Sequence, residues 1–155
     1  MKEEQIIEVA RELFHKFGFK KVSMDEIARE AGVAKKTIYR YFDSKEALLK
    51  YFIQEEIQNM KSIVEKVESK NMDFFDTVNE SICKLLKYRK EKDFLNIISK
   101  EAEWLKDPII IKNLALIDTQ IQNYIKSKLQ KAKEKGFIEF TDLDVTAFLV
   151  YKMYI

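Results

Sequence analysis

At 155 residues, with 46% apolar and 35% charged side chains, the chain has room for one domain, or for a small head on a larger body. Three Gly and one Pro nearly exclude a turn-rich β-sandwich or barrel and a glycine-rich phosphate loop, while one Cys and one His exclude a disulfide framework, a cysteine zinc site and a triad of zinc-binding histidines. The net charge of +2 argues for no partner by itself.

The N-terminus mixes acids and bases and becomes amphipathic at once, unlike a signal peptide. Ile6, Val9, Ala10, Leu13, Phe14 and Phe17 recur at helical spacing, and Gly18 follows where a helix would stop. Ser23 and Glu26 have the spacing of a capping box, so a short helix is predicted from Ser23 to Ala31, closed by Gly32. A third helix follows, anchored by Ile38 and Phe42. Asp43 or Ser44 then caps a long helix carrying Leu49, Phe52, Ile53, Met60, Ile63, Val64 and Val67.

Asp73 opens the next helix, with Phe74, Phe75, Val78, Ile82, Leu85 and Leu86 as its apolar set. Asp93 opens a shorter one with Phe94, Leu95, Ile98, Ala102 and Leu105. Asp107-Pro108 is a strong start signal, an N-cap acid before a proline in the first turn, and the helix it opens runs to Gly136. Thr141 and Asp144 resemble an acidic capping box before a last helix whose apolar pattern continues to Ile155 without a stop signal. Either a partner buries that end or the natural chain continues, and a body truncated at its C-terminus is the expectation. No apolar run reaches the roughly 18–20 residues that span a bilayer, so a cytoplasmic protein without a membrane partner is expected. The reading is all-α, with eight helices: a three-helix head over residues 1–45 and a helical regulatory body over residues 46–155.

Residues 23–45 carry the functional signal. Two short helices separated by Gly32-Val33 form a helix-turn-helix arrangement. Ala28 is small enough for a close crossing, Gly32 can take positive φ in the turn, and Ile38 with Phe42 faces the core. At 100° per residue Lys36 and Arg40 then lie opposite that face, flanked by Lys35, Thr37, Tyr39 and Tyr41. Arg and Lys suit guanine edges, Thr a thymine methyl or a phosphate, and Tyr hydroxyls the phosphates. Charge agrees: residues 16–45 sum to +4, residues 1–15 to −2 and the remainder to zero.

The stretch from Ile7 to Leu49 also resembles the DNA-binding head of the tetracycline-repressor (TetR) family. The resemblance runs through ELFHKFGF, SMDEIAREAGV, KKTIYRYF and DSKEALL, about 45 of the 155 residues. It implies a homodimeric regulator, usually a repressor released from a near-palindromic operator by a small molecule. Its third helix enters the major groove, helices four to seven form a ligand chamber, and the last helices pair two subunits. Effector binding moves helix four and respaces the heads. Carried over by position, Lys35, Lys36, Thr37, Tyr39, Arg40 and Tyr41 become the recognition-helix contacts to double-stranded DNA. Ser23 and Lys45, at the starts of the second and fourth helices, become phosphate anchors. Ala34 departs from the pattern, which often has a Ser or Thr there that caps and touches phosphate. If the chamber exists, Met60, Tyr88, Phe94, Trp104 and Tyr124 are its candidate lining, and an apolar or amphipathic effector is expected.

Other signals have plainer readings. Glu12-x-x-His15 matches half of a di-iron bundle motif, but that site needs two such motifs, so His15 reads as a packing or surface histidine. Cys83, among Ile82, Leu85 and Leu86, reads as a buried inert thiol. No nucleophile–His–acid set and no metal cluster is legible, so no catalysis, cofactor or metal is expected. Two rivals belong to other classes: an interaction protein whose helix-turn-helix does not bind DNA, and a helical-bundle metal protein.

Overall fold

A computed structural model describes residues 1–91, 94–139 and 142–154. Among the described residues it contains eight α-helices and no strand: α1 (Lys2–Phe17), α2 (Met24–Glu30), α3 (Lys35–Tyr41), α4 (Lys45–Glu68), α5 (Phe74–Glu91), α6 (Phe94–Leu105), α7 (Pro108–Glu134) and α8 (Leu143–Tyr154). The start and stop chemistry follows the local sequence. The Ser44 hydroxyl accepts the Ala47 N–H at 3.1 Å ahead of α4. Asp73 Oδ1 accepts the Phe75 and Asp76 N–H groups at 2.8 and 3.2 Å. Asp107 Oδ1 accepts those of Ile109 and Ile110 at 2.9 and 3.4 Å. The expected caps Asp93 and Thr141 lie outside the described residues. At α8 it is Asp142 that caps, its Oδ1 accepting the N–H groups of Asp144 and Val145 at 2.9 and 3.0 Å.

The chain divides into two compact units, Met1–Glu56 with Asp93–Asn113, and Ile57–Lys92 with Leu114–Ile155. Helices α4 and α7 contribute to both. This differs from the expected boundary after residue 45. The three-helix head shares its unit with the start of α4, all of α6 and the first turns of α7.

In the first unit α2 packs against α1 and α3. Ile6, Ala10 and Phe14 of α1, Ile27 of α2, Ile38 of α3 and Leu48, Leu49 and Phe52 of α4 are wholly buried, joined by Ile98 and Ile110. Phe17, expected on the core face of α1, is instead 49% exposed.

In the second unit Met60 and Val67 of α4, Ile117 and Ala132 of α7 and Ala147 and Tyr151 of α8 are buried. Its α5 corrects two expectations. Phe75, Val78, Ile82 and Leu86 form an exposed stripe, while Ser81 is buried and Phe74, Thr77, Leu85 and Tyr88 are half-buried. Cys83 is exposed, not a buried thiol, because it adjoins the outward stripe. No helix is long and apolar enough to cross a membrane among the described residues.

Candidate nucleic-acid interface

The turn between α2 and α3 follows from three residues. The Ser23 hydroxyl accepts the Glu26 N–H at 3.2 Å, and the Glu26 carboxylate accepts both the Ser23 N–H and its hydroxyl at 2.8 Å. After Ala31, Gly32 takes φ of +62°, and the Val33 N–H returns to the Ala28 carbonyl at 2.9 Å while the Gly32 N–H reaches Arg29 at 3.1 Å. This paired closure satisfies the last carbonyls of α2 and needs the left-handed residue that glycine supplies. Helix α3 then starts after Ala34, which contributes no side-chain cap.

The buried Ile38 pins α3 and orients the rest of the helix. Lys35, Lys36, Tyr39 and Arg40 are exposed, and Thr37 and Tyr41 are half-buried. The Arg40 guanidinium lies 5.1 Å from the Tyr41 ring centroid, and its Nη2 donates to the Tyr41 hydroxyl at 3.3 Å. An arginine held against an aromatic ring retains donors for a base edge and loses less rotamer freedom on binding. Lys35 donates to Asp25 Oδ2 at 2.8 Å, a contact that raises the lysine's pKa. This pairing partly neutralises Lys35, so Lys36 and Arg40 carry most of the outward positive charge of α3.

The two expected phosphate anchors, Ser23 and Lys45, are both bonded to groups of the chain itself. Ser23 has its hydroxyl and its N–H engaged by the Glu26 carboxylate. The Glu26 carboxyl is held below its usual range, first by the Ser23 hydroxyl and then by the Ser23 amide. A lowered folded-state pKa means that the box contributes fully above the ordinary glutamate range and is lost as pH falls through the lowered value. An NMR titration of Glu26 is expected to show that depressed midpoint, and Ser23→Ala to move it back towards the ordinary value.

Lys45 is engaged within the chain as well. Its Nζ donates to the carbonyls of Phe19 at 2.8 Å, Lys20 at 3.1 Å and Val22 at 2.9 Å. An ammonium has three protons, and all three are directed into the α1–α2 loop. Sequence reasoning also missed Glu101 of α6, which accepts the Phe19 and Lys20 N–H groups at 2.7 Å each. No local pattern signals a contact made across about eighty residues.

The candidate chamber residues fall in both units. Phe94 is 5% exposed in the core of the first unit, its ring 5.4 Å from that of Phe52. Trp104 is 86% exposed, so its ring lines no enclosed space. Met60, Tyr88 and Tyr124 belong to the second unit. There Met60 is buried, and the Tyr88 hydroxyl accepts from Asn59 Nδ2 at 3.3 Å. The Tyr124 ring is flanked by the ammonium groups of Lys61 and Lys128, 5.5 and 5.2 Å from its centroid. The Ser81 hydroxyl is buried without a hydrogen-bond partner among the described residues. His15 is exposed.

Comparison with known proteins places this geometry. The family model for bacterial regulatory proteins of the tetR family matches residues 6–52, which cover the head and the start of α4. The HTH-type transcriptional regulator YhgD of Bacillus subtilis strain 168 is 29% identical over 150 residues, spanning 97% of this chain and 78% of that protein. The fatty acid degradation regulator FadR from Bacillus halodurans superposes with a TM-score of 0.74 at 25% identity, over 99% of this chain and 80% of that one. A TetR-family regulator structure from Syntrophomonas wolfei superposes with a TM-score of 0.88 at 17% identity, over 99% and 79% of the two chains, a likeness of fold.

Proposed function

Because the chain belongs to the tetR family of bacterial regulatory proteins, we propose that it is a one-component transcriptional regulator that binds double-stranded DNA through α3 and represses until a small molecule releases it. The observation that carries this reading is the face of α3 opposite the buried Ile38, where Lys36, Tyr39 and Arg40 stand exposed. Arg40 reads a base edge, Lys36, Thr37, Tyr39 and Tyr41 meet phosphates, and Lys35 joins them once its pairing with Asp25 yields to the duplex. The reading is that of a regulator, not an enzyme.

Two copies related by a two-fold axis bind a near-palindromic operator. The apolar face of α8 supports this dimer, since Phe148, Leu149 and Met153 are 44%, 54% and 85% exposed. The effector is apolar or amphipathic, held in the second unit near Met60, Tyr88 and Tyr124. The fatty acid function in the name of the Bacillus halodurans relative makes fatty acids the first probes.

Binding selection from a random duplex pool at near-physiological salt tests the whole reading. A palindromic consensus is expected. No enrichment by a folded chain would remove the DNA reading and leave the head as an interaction scaffold. On the selected duplex, Arg40→Ala is expected to cost about 1–3 kcal/mol and to relax specificity at one base position, whereas Lys36→Ala weakens binding to all sequences alike and flattens the salt slope by about one. Uniform loss over all sequences in Arg40→Ala would assign Arg40 to the backbone instead.

A further inference from the structure

The residues between α1 and α2 form irregular chain, and two side chains distant in sequence take their backbone polar groups. From α6, Glu101 Oε2 accepts the Phe19 N–H and Oε1 the Lys20 N–H, both at 2.7 Å. Two successive amides converging on one carboxylate is the geometry by which a backbone holds an anion, and charge-assisted bonds of this kind are the strong ones. From α4, the Lys45 ammonium takes the carbonyls of Phe19, Lys20 and Val22. Gly18, at φ of +82°, leaves room for the carboxylate, and a Cβ there would lie 3.1 Å from Glu101 Oε1. Lys20 Nζ in turn lies 4.0 Å from Oδ2 of Asp107, the cap of α7.

The loop held in this way runs directly into Ser23, the residue that opens α2, and α2 carries α3 through the Gly32 turn. A shift of α6 therefore reaches the head through two short bonds to rigid backbone. Apolar contacts can slide; a carboxylate forked over two amides has one seat.

We propose that Glu101 is a positioning residue that ties the α1–α2 loop to α6, so that the placement of α6 sets the DNA-reading geometry of α2 and α3. The inference rests on the DNA-binding reading.

The test uses the full chain, with Glu101→Ala and the near-isosteric Glu101→Gln beside wild type. Amide hydrogen exchange at Phe19 and Lys20 is expected to accelerate on the order of tenfold or more in Glu101→Ala, and less in Glu101→Gln, which keeps one acceptor. Affinity for the duplex selected by wild type falls roughly 2- to 30-fold in the same order, with an unchanged salt slope because no phosphate contact is lost. Partial recovery by Gln separates positioning from general damage, and Gln carries the test alone should Ala fail to fold. Opened amides with affinity within about twofold of wild type would make the contact structural only and overturn the proposal. Unchanged exchange in both variants would overturn it as well. Failure of the underlying reading looks different: wild type itself then selects no duplex, and the role of Glu101 falls with it.

Discussion

Phe52→Ala is expected to cost about 3–5 kcal/mol of stability in the first unit, because the side chain removed is large, wholly buried and surrounded. Its ring meets those of Phe14 at 5.9 Å, Tyr51 at 5.8 Å and Phe94 at 5.4 Å, all edge-on. The Arg11 guanidinium lies 4.6 Å above its face, and Arg11 also pairs with Glu55 and approaches the buried Glu56 at 4.0 Å. The truncation thus opens a cavity where α1, α4 and α6 meet and withdraws the surface that orients an arginine. Against a usual domain stability of about 5–15 kcal/mol, a loss of this size removes most of the margin of a domain at the low end of that range. Apparent DNA affinity should fall with the folded fraction and recover on cooling towards the temperature of greatest stability. Phe52→Leu refills most of the volume and should cost no more than about half as much. Denaturant midpoints of the two variants at constant m-value check the prediction, and a cost below about 1 kcal/mol for the alanine variant would mean that the site collapses without a cavity. The same cluster explains why Phe94, a candidate for the effector chamber by sequence, belongs to the head's core: its ring edge is seated on Phe52.

What was legible in the sequence was local. The Ser23–Glu26 box, the left-handed Gly32, the inward Ile38 and the Asp107-Pro108 start are decided within one or two turns by hydrogen-bonding geometry and backbone sterics, and each formed as read. The face of a helix was less legible where both of its sides are partly apolar. Along α5 the residues at helical spacing make two stripes, one with Phe74, Thr77, Ser81, Leu85 and Tyr88, the other with Phe75, Val78, Ile82 and Leu86. Hydrophobicity alone favours burying the second, yet the second is exposed and the hydroxyl-bearing stripe turns inward. Contacts that join distant segments left no trace at all. Glu101 reads as one acid in an amphipathic helix, and nothing near residue 101 announces a loop at residue 19. The placement of Lys45 likewise depends on where the α1–α2 loop passes, which family position cannot convey.

Lys45 therefore separates a phosphate anchor from a structural clamp by a measurable difference. Lys45→Met retains the stem but removes three donors from the carbonyls of Phe19, Lys20 and Val22, of which the first and last bonds are part-buried. Leaving two part-buried carbonyls unpaired should cost about 2–4 kcal/mol. Burial opposes the charged form and lowers the lysine's pKa, with the carboxylates of Glu101, Asp107 and Glu26 acting the other way. The ammonium is thus kept in a partly desolvated place by the carbonyls and acids around it, as expected of a clamp. Lys45→Arg should recover only part of the loss, because a planar guanidinium cannot aim at three carbonyls arranged around a tetrahedral nitrogen. Well below the melting temperature, the salt slope of duplex binding should match wild type in Lys45→Met, whereas Lys36→Ala lowers it by about one. A Lys45→Met protein of wild-type stability with a slope reduced by about one would return Lys45 to the DNA backbone. Loss of stability with an intact slope would establish that this cation holds the loop, and that contact with the duplex falls to the cations of α3.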